Sequence, residues 1–360
     1  MMDLDERNVS GCGLTGMMNK KRLKVNGQAI TKSMCNLRER GNGLGAGFAA
    51  YGIYPDQRDY FALHLMYDSK DAKTNTEVYI NSCFDVCSKE PIPTRKIESI
   101  ADPPTFWRYF VLPQKKSRSG EDFSEEDFAI KKVMHINKGI EGAFVVSSGK
   151  NMGVFKGIGY PEDISEFFKI EEYNAHTWIG HSRFPTNTPG WWGGAHPFTI
   201  LDWAVVHNGE ISSYGINKRY LKMHGYDCTM QTDSEVVAYL FDLLIRRHHI
   251  PLKYVPDILA SSFWKNIDLM DEDEKRIKTA LRMIYGGALI NGPFAVIIGH
   301  GNGMMGLSDR VKLRPMVAAT NGDWVYISSE EAGIREISPE LEKLWHPRAG
   351  ELVIGELEGN

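Results

Sequence analysis

What most constrains this chain is the order in which its periodicities follow one another. Strand-like runs of aromatic and β-branched residues occupy residues 46–54, 60–67, 178–184 and 202–206. Helical spacing then dominates residues 213–224, 232–247, 252–262 and 271–285. Strands return at 294–299, 304–307, 315–319 and 324–328, the first pair turning at His300-Gly-Asn-Gly and the second at Asn321-Gly322. Strands, a block of helices and strands again predict an α+β fold in which two antiparallel sheets stack face to face under helices. No internal repeat and no Pro- or Ser-rich linker divides the chain, so a single domain is the simplest reading.

Local signals fill in the rest. Residues 28–40 carry Ala29, Ile30, Met34 and Leu37 at amphipathic helical spacing and stop at Gly41. The alternating glycines that follow do not form a dinucleotide-binding loop, because here a helix precedes and a strand follows, the reverse of what that loop requires. Close packing of a glycine-rich strand accounts for them better. Residues 143–155 read as a hairpin, and 161–169 as a short helix opened by proline. Between 89 and 127 lie five prolines and the charged run Gln114-Lys-Lys-Ser-Arg-Ser-Gly-Glu-Asp, which predict a solvated surface insertion.

Composition matters for what it excludes. A net charge of −4 with basic residues spread along the chain argues against a general nucleic-acid or membrane-surface role. No run reaches the ~18 apolar residues of a membrane span, and the polar, acidic first eight residues lack the features of a signal peptide, so a cytoplasmic location is expected. Five cysteines, odd in number and sparse, then read as thiols. Cys83 and Cys87 have no second Cys or His pair at zinc-site spacing, and no metal is expected.

Chemistry concentrates at the ends of the strands. Arg183 closes the 178–184 run, and His207-Asn208-Gly209 follows the 202–206 run. An arginine fork can grip a carboxylate with two parallel bonds, and an Asn amide beside a Gly N–H can supply two donors to a developing oxyanion. The same residues also suit an ordinary ion pair and a turn. Cys12, flanked by Gly11 and Gly13, is either a small buried thiol or a nucleophile. In the second case an α-amine freed by a cut before Cys12 could serve as its base. Thr232-Asp-Ser-Glu reads as a capping box that puts Asp233 in the first helical turn, where it can serve the helix or meet an ammonium group.

Taken together, Cys12-Gly-Leu-Thr-Gly, Gly180-His-Ser-Arg-Phe-Pro-Thr-Asn, Ala195-His-Pro-Phe, His207-Asn-Gly-Glu and Thr232-Asp-Ser-Glu resemble, in order and approximate spacing, the class II glutamine amidotransferases. Asn291-Gly-Pro-Phe-Ala, Leu307-Ser-Asp-Arg-Val-Lys-Leu-Arg-Pro and Ser328-Ser-Glu-Glu-Ala extend the resemblance over nearly the whole chain. It implies an N-terminal-nucleophile hydrolase with a four-layer αββα sandwich. Cys12 would be the nucleophile, and Asn208 with the Gly209 N–H the oxyanion hole. Arg183 would hold the glutamine carboxylate and Asp233 its ammonium, Thr186 would line the site, and His196 and His207 would stand nearby. Cys12 does not follow the initiator Met as in most relatives, so residues 1–11 are expected to be a removed propeptide and residues 12–360 the catalytic domain.

Arg38-Glu-Arg-Gly-Asn-Gly-Leu-Gly-Ala-Gly-Phe resembles the stand-alone amidotransferase subunits of short, archaeal-type glutamate synthases and of N-methylglutamate synthases. The resemblance therefore implies no cofactor on this chain, and a flavin-bearing synthase subunit as the partner that consumes the ammonia. A synthase for another acceptor, and a non-catalytic assembly subunit with Cys12 left uncut, are the alternatives.

Overall fold

The computed structural model describes residues 11–114, 124–184 and 190–359. Residues 1–10, the charged run from 115 and Thr186 lie outside them. Two antiparallel sheets form the centre. The larger has seven strands, in spatial order Lys343–Trp345, Val317–Asn321, Trp324–Ser328, Gly13–Asn19, Thr177–Ser182, Ala46–Tyr51 and Met152–Gly157. The smaller has five, Phe198–Ile200, Trp203–Gly209, Phe294–His300, Gly303–Ser308 and Leu352–Glu356. Between them lies a layer of interdigitated apolar side chains that includes Leu14, Ile179, Val206, Ile297 and Ile327. These come from alternate positions of strands buried on both faces, which is why the runs read as continuously apolar.

Helices close both outer faces. Ile30 and Met34 of the helix Gln28–Asn36 pack with Phe48, Phe155 and Trp178 of the larger sheet. Val236, Leu240 and Phe241 of the helix Asp233–Phe241 pack with Val205, Val296 and Ile298 of the smaller one. The result is the expected four-layer αββα sandwich. Both late hairpins form as read, with Val317–Asn321 paired to Trp324–Ser328 and Phe294–His300 to Gly303–Ser308.

Three local expectations need correction. Residues 143–155 do not make a hairpin: Ala143–Ser147 pairs with Phe61–Tyr67, whereas Met152–Gly157 pairs with Ala46–Tyr51 in the larger sheet. The segment 89–127 is not a bare surface insertion either. It contributes the strand Thr105–Pro113, which buries Phe106, Tyr109, Phe110 and Val111, and the start of the helix Glu125–Gly139. These belong to a larger excursion between Tyr51 and Met152, residues that face each other across adjacent strands. Its four strands, in the order Phe84–Pro91, Thr105–Pro113, Phe61–Tyr67 and Ala143–Ser147, carry the helices Lys70–Cys83 and Glu125–Gly139. Bonds from Thr199 Oγ1 to the Val146 carbonyl (3.0 Å) and from the Leu201 N–H to Ser148 Oγ (3.2 Å) tie this unit to the edge of the smaller central sheet.

The third correction concerns the capping box. Thr232 does cap its helix, accepting the Ser234 N–H at 3.3 Å. Glu235, however, turns away from the cap and accepts the N–H groups of Thr229 and Met230 at 2.9 and 3.0 Å. It thereby holds the segment that leads into Asp233.

Candidate active site

Stacking the two sheets brings together the ends of strands far apart in sequence. Cys12 immediately precedes the strand Gly13–Asn19, whose Gly13 lies opposite Ser182. The register therefore sets Cys12 beside the Arg183-Phe184 exit of the neighbouring strand. The Phe184 N–H donates to Cys12 Sγ at 3.3 Å, and Arg40 Nε donates to the Cys12 carbonyl at 3.2 Å. Arg40 is held in turn by Glu330, Nη1 to Oε1 at 2.6 Å. Burial pushes the thiol up from its ordinary value, and the Phe184 N–H with the Arg183, Arg314 and Arg40 charges only partly offsets this.

The facing sheet supplies the opposite wall. Its strand Trp203–Gly209 ends with His207, Asn208 and Gly209, all ordered by pairing with Phe294–Val296. Gly209 has φ +148°, and a Cβ there would collide with the Pro293 carbonyl, so only glycine fits. Asn208 is 1% exposed, and its Nδ2 has no hydrogen-bond acceptor among the described residues. A buried amide donor left open in this way costs about 1–3 kcal/mol and calls for a reason.

Asp233 completes the site from the first turn of its helix. Its Oδ2 accepts the Ile211 N–H at 3.0 Å, and its Oδ1 lies 3.6 Å from His207 Nδ1. Burial alone would raise its pKa, but His207, the Ile211 N–H and the Thr232 hydroxyl outweigh that and hold the carboxyl below its ordinary value. Cys12, Arg183, His207, Gly209 and Asp233 all line one cavity of about 310 Å³. A cationic fork, an anionic carboxylate and a sulfur around so small a volume suit a zwitterion with a third, reactive group.

This geometry stands beside independent comparisons. The model of the family described as "Glutamine amidotransferases class-II" matches residues 86–354. The chain belongs to the class II glutamine amidotransferases. It is 51% identical over 358 residues to an uncharacterized protein of Archaeoglobus fulgidus, covering 99% of this chain and 94% of that one. It is 25% identical over 222 residues to the amidophosphoribosyltransferase of Methanocaldococcus jannaschii, a match that spans 60% of this chain and 41% of the relative. Among solved structures, the allosteric regulatory enzyme of purine biosynthesis superposes with a TM-score of 0.52 at 16% identity, over 97% of this chain and 48% of that one. At that identity the likeness speaks for the fold.

The amidotransferase thus carries the glutamine-hydrolysing domain of its family, and its cavity unites five of the seven residues expected at the site. Asn208 stands next to them on the strand, and Thr186 lies outside the described residues. His196 also lines the cavity, as does Ser234, whose motif gave no sign of a role beyond the helix start. Nor were Arg40, Arg314 and Glu330 around Cys12 singled out, although each sits inside or beside a quoted motif. A larger cavity of about 570 Å³ opens beside Arg246 and Asp127, away from this chemistry. There Arg246 is already engaged by Asp242 and Asp127, so size alone does not mark the reactive site. Among the described residues, no group of three or more His, Cys, Asp or Glu is arranged to hold a metal. No described helix is long and apolar enough to cross a membrane.

Proposed function

We propose that this amidotransferase cleaves the side-chain amide of glutamine through a thioester on Cys12 and passes the ammonia to a separate, flavin-bearing glutamate synthase subunit. Removal of residues 1–11 frees the Cys12 α-amine, which takes the thiol proton. The sulfur then attacks the amide carbon, and the oxyanion forms against Asn208 Nδ2 and the Gly209 N–H. Collapse breaks the C–N bond, with the α-ammonium returning its proton to the departing nitrogen, and ammonia leaves. Water, deprotonated by the same amine, then cleaves the thioester to glutamate and restores the thiol. Throughout, Arg183 grips the substrate carboxylate and Asp233 its ammonium, with His207 lining the pocket.

The observation that carries this reading is the cavity itself. Arg183, Asp233 and Gly209 line it around one sulfur, which supports a complement to each polar group of glutamine, and the neighbouring Asn208 Nδ2 has no partner among the described residues. Gly11 packs tightly here, since a Cβ on it would lie 3.2 Å from Arg40 and 3.4 Å from Asn208. With the leader uncut, the Gly11–Cys12 peptide bond leaves a non-basic amide nitrogen in place of the amine base. Purified protein should release ammonia from glutamine, and intact-mass analysis of the active species should show Cys12 first. Activity with Met1 still attached would refute the amine base, and a Cys12→Ala variant that still hydrolysed glutamine would refute the nucleophile. Co-purification with a flavoprotein that stimulates the glutaminase supports the assigned partner; stimulation by a different synthase, or by none, counts against it.

A further inference from the structure

Beside the cavity lies a buried amine that the chemistry above does not use. Lys156, in the strand Met152–Gly157, is only 3% exposed. Its Nζ donates to the Gly193 carbonyl at 3.0 Å and the Pro197 carbonyl at 3.1 Å, and it stands 4.4 Å from the centre of the Phe198 ring. Among the described residues it makes no ion pair. Burial pulls this amine down to about 7, with the Glu235 carboxylate only partly offsetting it; a polar group so desolvated is costly, and an apolar side chain of similar length would fill the space at less cost. The two carbonyls must therefore gain something from being held.

The first carbonyl belongs to the turn Trp192–Gly194, the second follows His196, and the two enclose His196 between them in sequence. His196 stacks on His181 with ring centres 4.0 Å apart, and its Nε2 lies 2.7 Å from Ser234 Oγ. Ser234 Oγ donates to Asp233 Oδ1 at 3.3 Å and sits 3.1 Å from His207 Nδ1. A hydroxyl has one proton. If Asp233 receives it, Ser234 must accept from both rings, which assigns N–H to His196 Nε2 and His207 Nδ1. The remaining nitrogens, His196 Nδ1 and His207 Nε2, are the ones without a partner among the described residues. Burial holds His196 well below its ordinary pKa, so its neutral ring has only one N–H to give and must be aimed correctly.

We propose that Lys156 is a positioning residue for the substrate's α-ammonium site. By clamping the Gly193 and Pro197 carbonyls it fixes His196 against Ser234, and Ser234 in turn orients the Asp233 carboxylate. The proposal rests on reading Asp233 as the ammonium clamp.

The test compares L-glutamine with glutaramate, which keeps the carboxylate and amide but lacks the α-ammonium. Lys156→Met should lower kcat/KM for glutamine about tenfold or more, mainly through KM, the scale of weakening a hydrogen bond to a charged group. Its kcat/KM for glutaramate should stay unchanged. Ser234→Ala should lower kcat/KM for glutamine more than for glutaramate. If Lys156→Met does not fold, Lys156→Gln, whose shorter arm keeps amide N–H donors but not the amine, is read in the same way. An equal fall on both substrates, with or without a lower melting midpoint, means a packing role and overturns the proposal; so does no fall on either. Asp233→Asn keeps the parent reading separate: it should erase the preference for glutamine, and if it does not, the clamp itself is misassigned. A normal Asp233 effect without a Lys156 effect overturns this proposal alone.

Discussion

Replacing Asn208 by leucine should make the protein more stable and far less active. The side chain is buried at the end of the strand Trp203–Gly209, with Nδ2 open and facing no acceptor among the described residues. In the resting state that open donor costs about 1–3 kcal/mol of desolvation. Leucine, close to asparagine in shape and without the donor, should recover most of it. With an unfolding entropy of about 2.1 cal/mol/K per residue, a 360-residue chain has roughly 0.8 kcal/mol/K, so the apparent melting midpoint should rise by about 1–4 °C. In the transition state the same donor meets the oxyanion, and losing it should cost about 2.7–4 kcal/mol, or roughly 10²–10³ in kcat. Glutaminase kinetics on the processed enzyme and thermal melts of the same preparation check both signs, with intact mass confirming that Cys12 is first. A variant that keeps kcat within about threefold, or that melts lower than the parent, would refute the assignment of this amide to the oxyanion.

Other perturbations follow from the same geometry. Arg183→Lys preserves charge but loses the fork, so kcat/KM for glutamine should fall by about tenfold or more, chiefly in KM; unchanged saturation kinetics would sink the carboxylate role. Arg246→Met strands Asp242, which is 0% exposed and bonded to Arg246 at 2.6 and 2.8 Å, and should cost about 3–5 kcal/mol in denaturant titrations without changing KM. Acid should unfold the protein steeply. Burial pushes His64 and His181 down to about 3 and His176 and His300 down to about 4, from an ordinary value of 6.5. The unfolded chain therefore binds these protons first, so the stability they contribute is full above pH 6.5 and is lost as the pH falls towards 3–4. Urea midpoints measured between pH 7 and 4 should drop accordingly, whereas a flat profile would mean that these rings are hydrated.

The candidate site was legible in the sequence because its residues sit at strand ends or, for Asp233, in the first turn of a helix, each inside a short motif whose chemistry is local. Each motif alone also suited a structural role, and it was their order and spacing together that singled out Cys12, Arg183, His207, Asn208, Gly209 and Asp233 as candidates. Less legible were the elements whose signals depend on distant partners. The helix Lys70–Cys83 buries Ala72, Thr76, Ile80 and Cys83 and leaves Val78 exposed, so its inward face is too small and polar to show a clear apolar stripe. The strand Thr105–Pro113 was hidden among prolines, yet Pro113 only ends it and Pro91 only ends its neighbour, where a missing N–H costs little. Residues 143–155 had good hairpin chemistry, but which strand becomes a neighbour is decided across the whole sheet rather than at the turn.

Lys156 shows where such reading stops. In Val154-Phe-Lys-Gly a lone lysine looks like the solvent side of an alternating strand, and only the packing of the 190–198 segment over it turns that position inward. The same packing explains how motifs more than a hundred residues apart can act as one site. Register fixes Gly13 opposite Ser182 and so Cys12 beside the Arg183 exit within one sheet, and stacking brings Gly209 of the facing sheet, with Asp233 on the helix packed over it, to the same cavity, so the distances that matter are set largely by two sheet faces. Substitutions that shift one face against the other should therefore impair glutamine binding without touching any residue that contacts it. Enlarging Gly16 is the sharpest case: a Cβ there would press on Met304 and Ile297 of the facing sheet. Gly16→Val should thus raise KM for glutamine even though the residue lies inside the core and outside the cavity, and an unchanged KM in a folded variant would show that the two faces do not set the site's spacing.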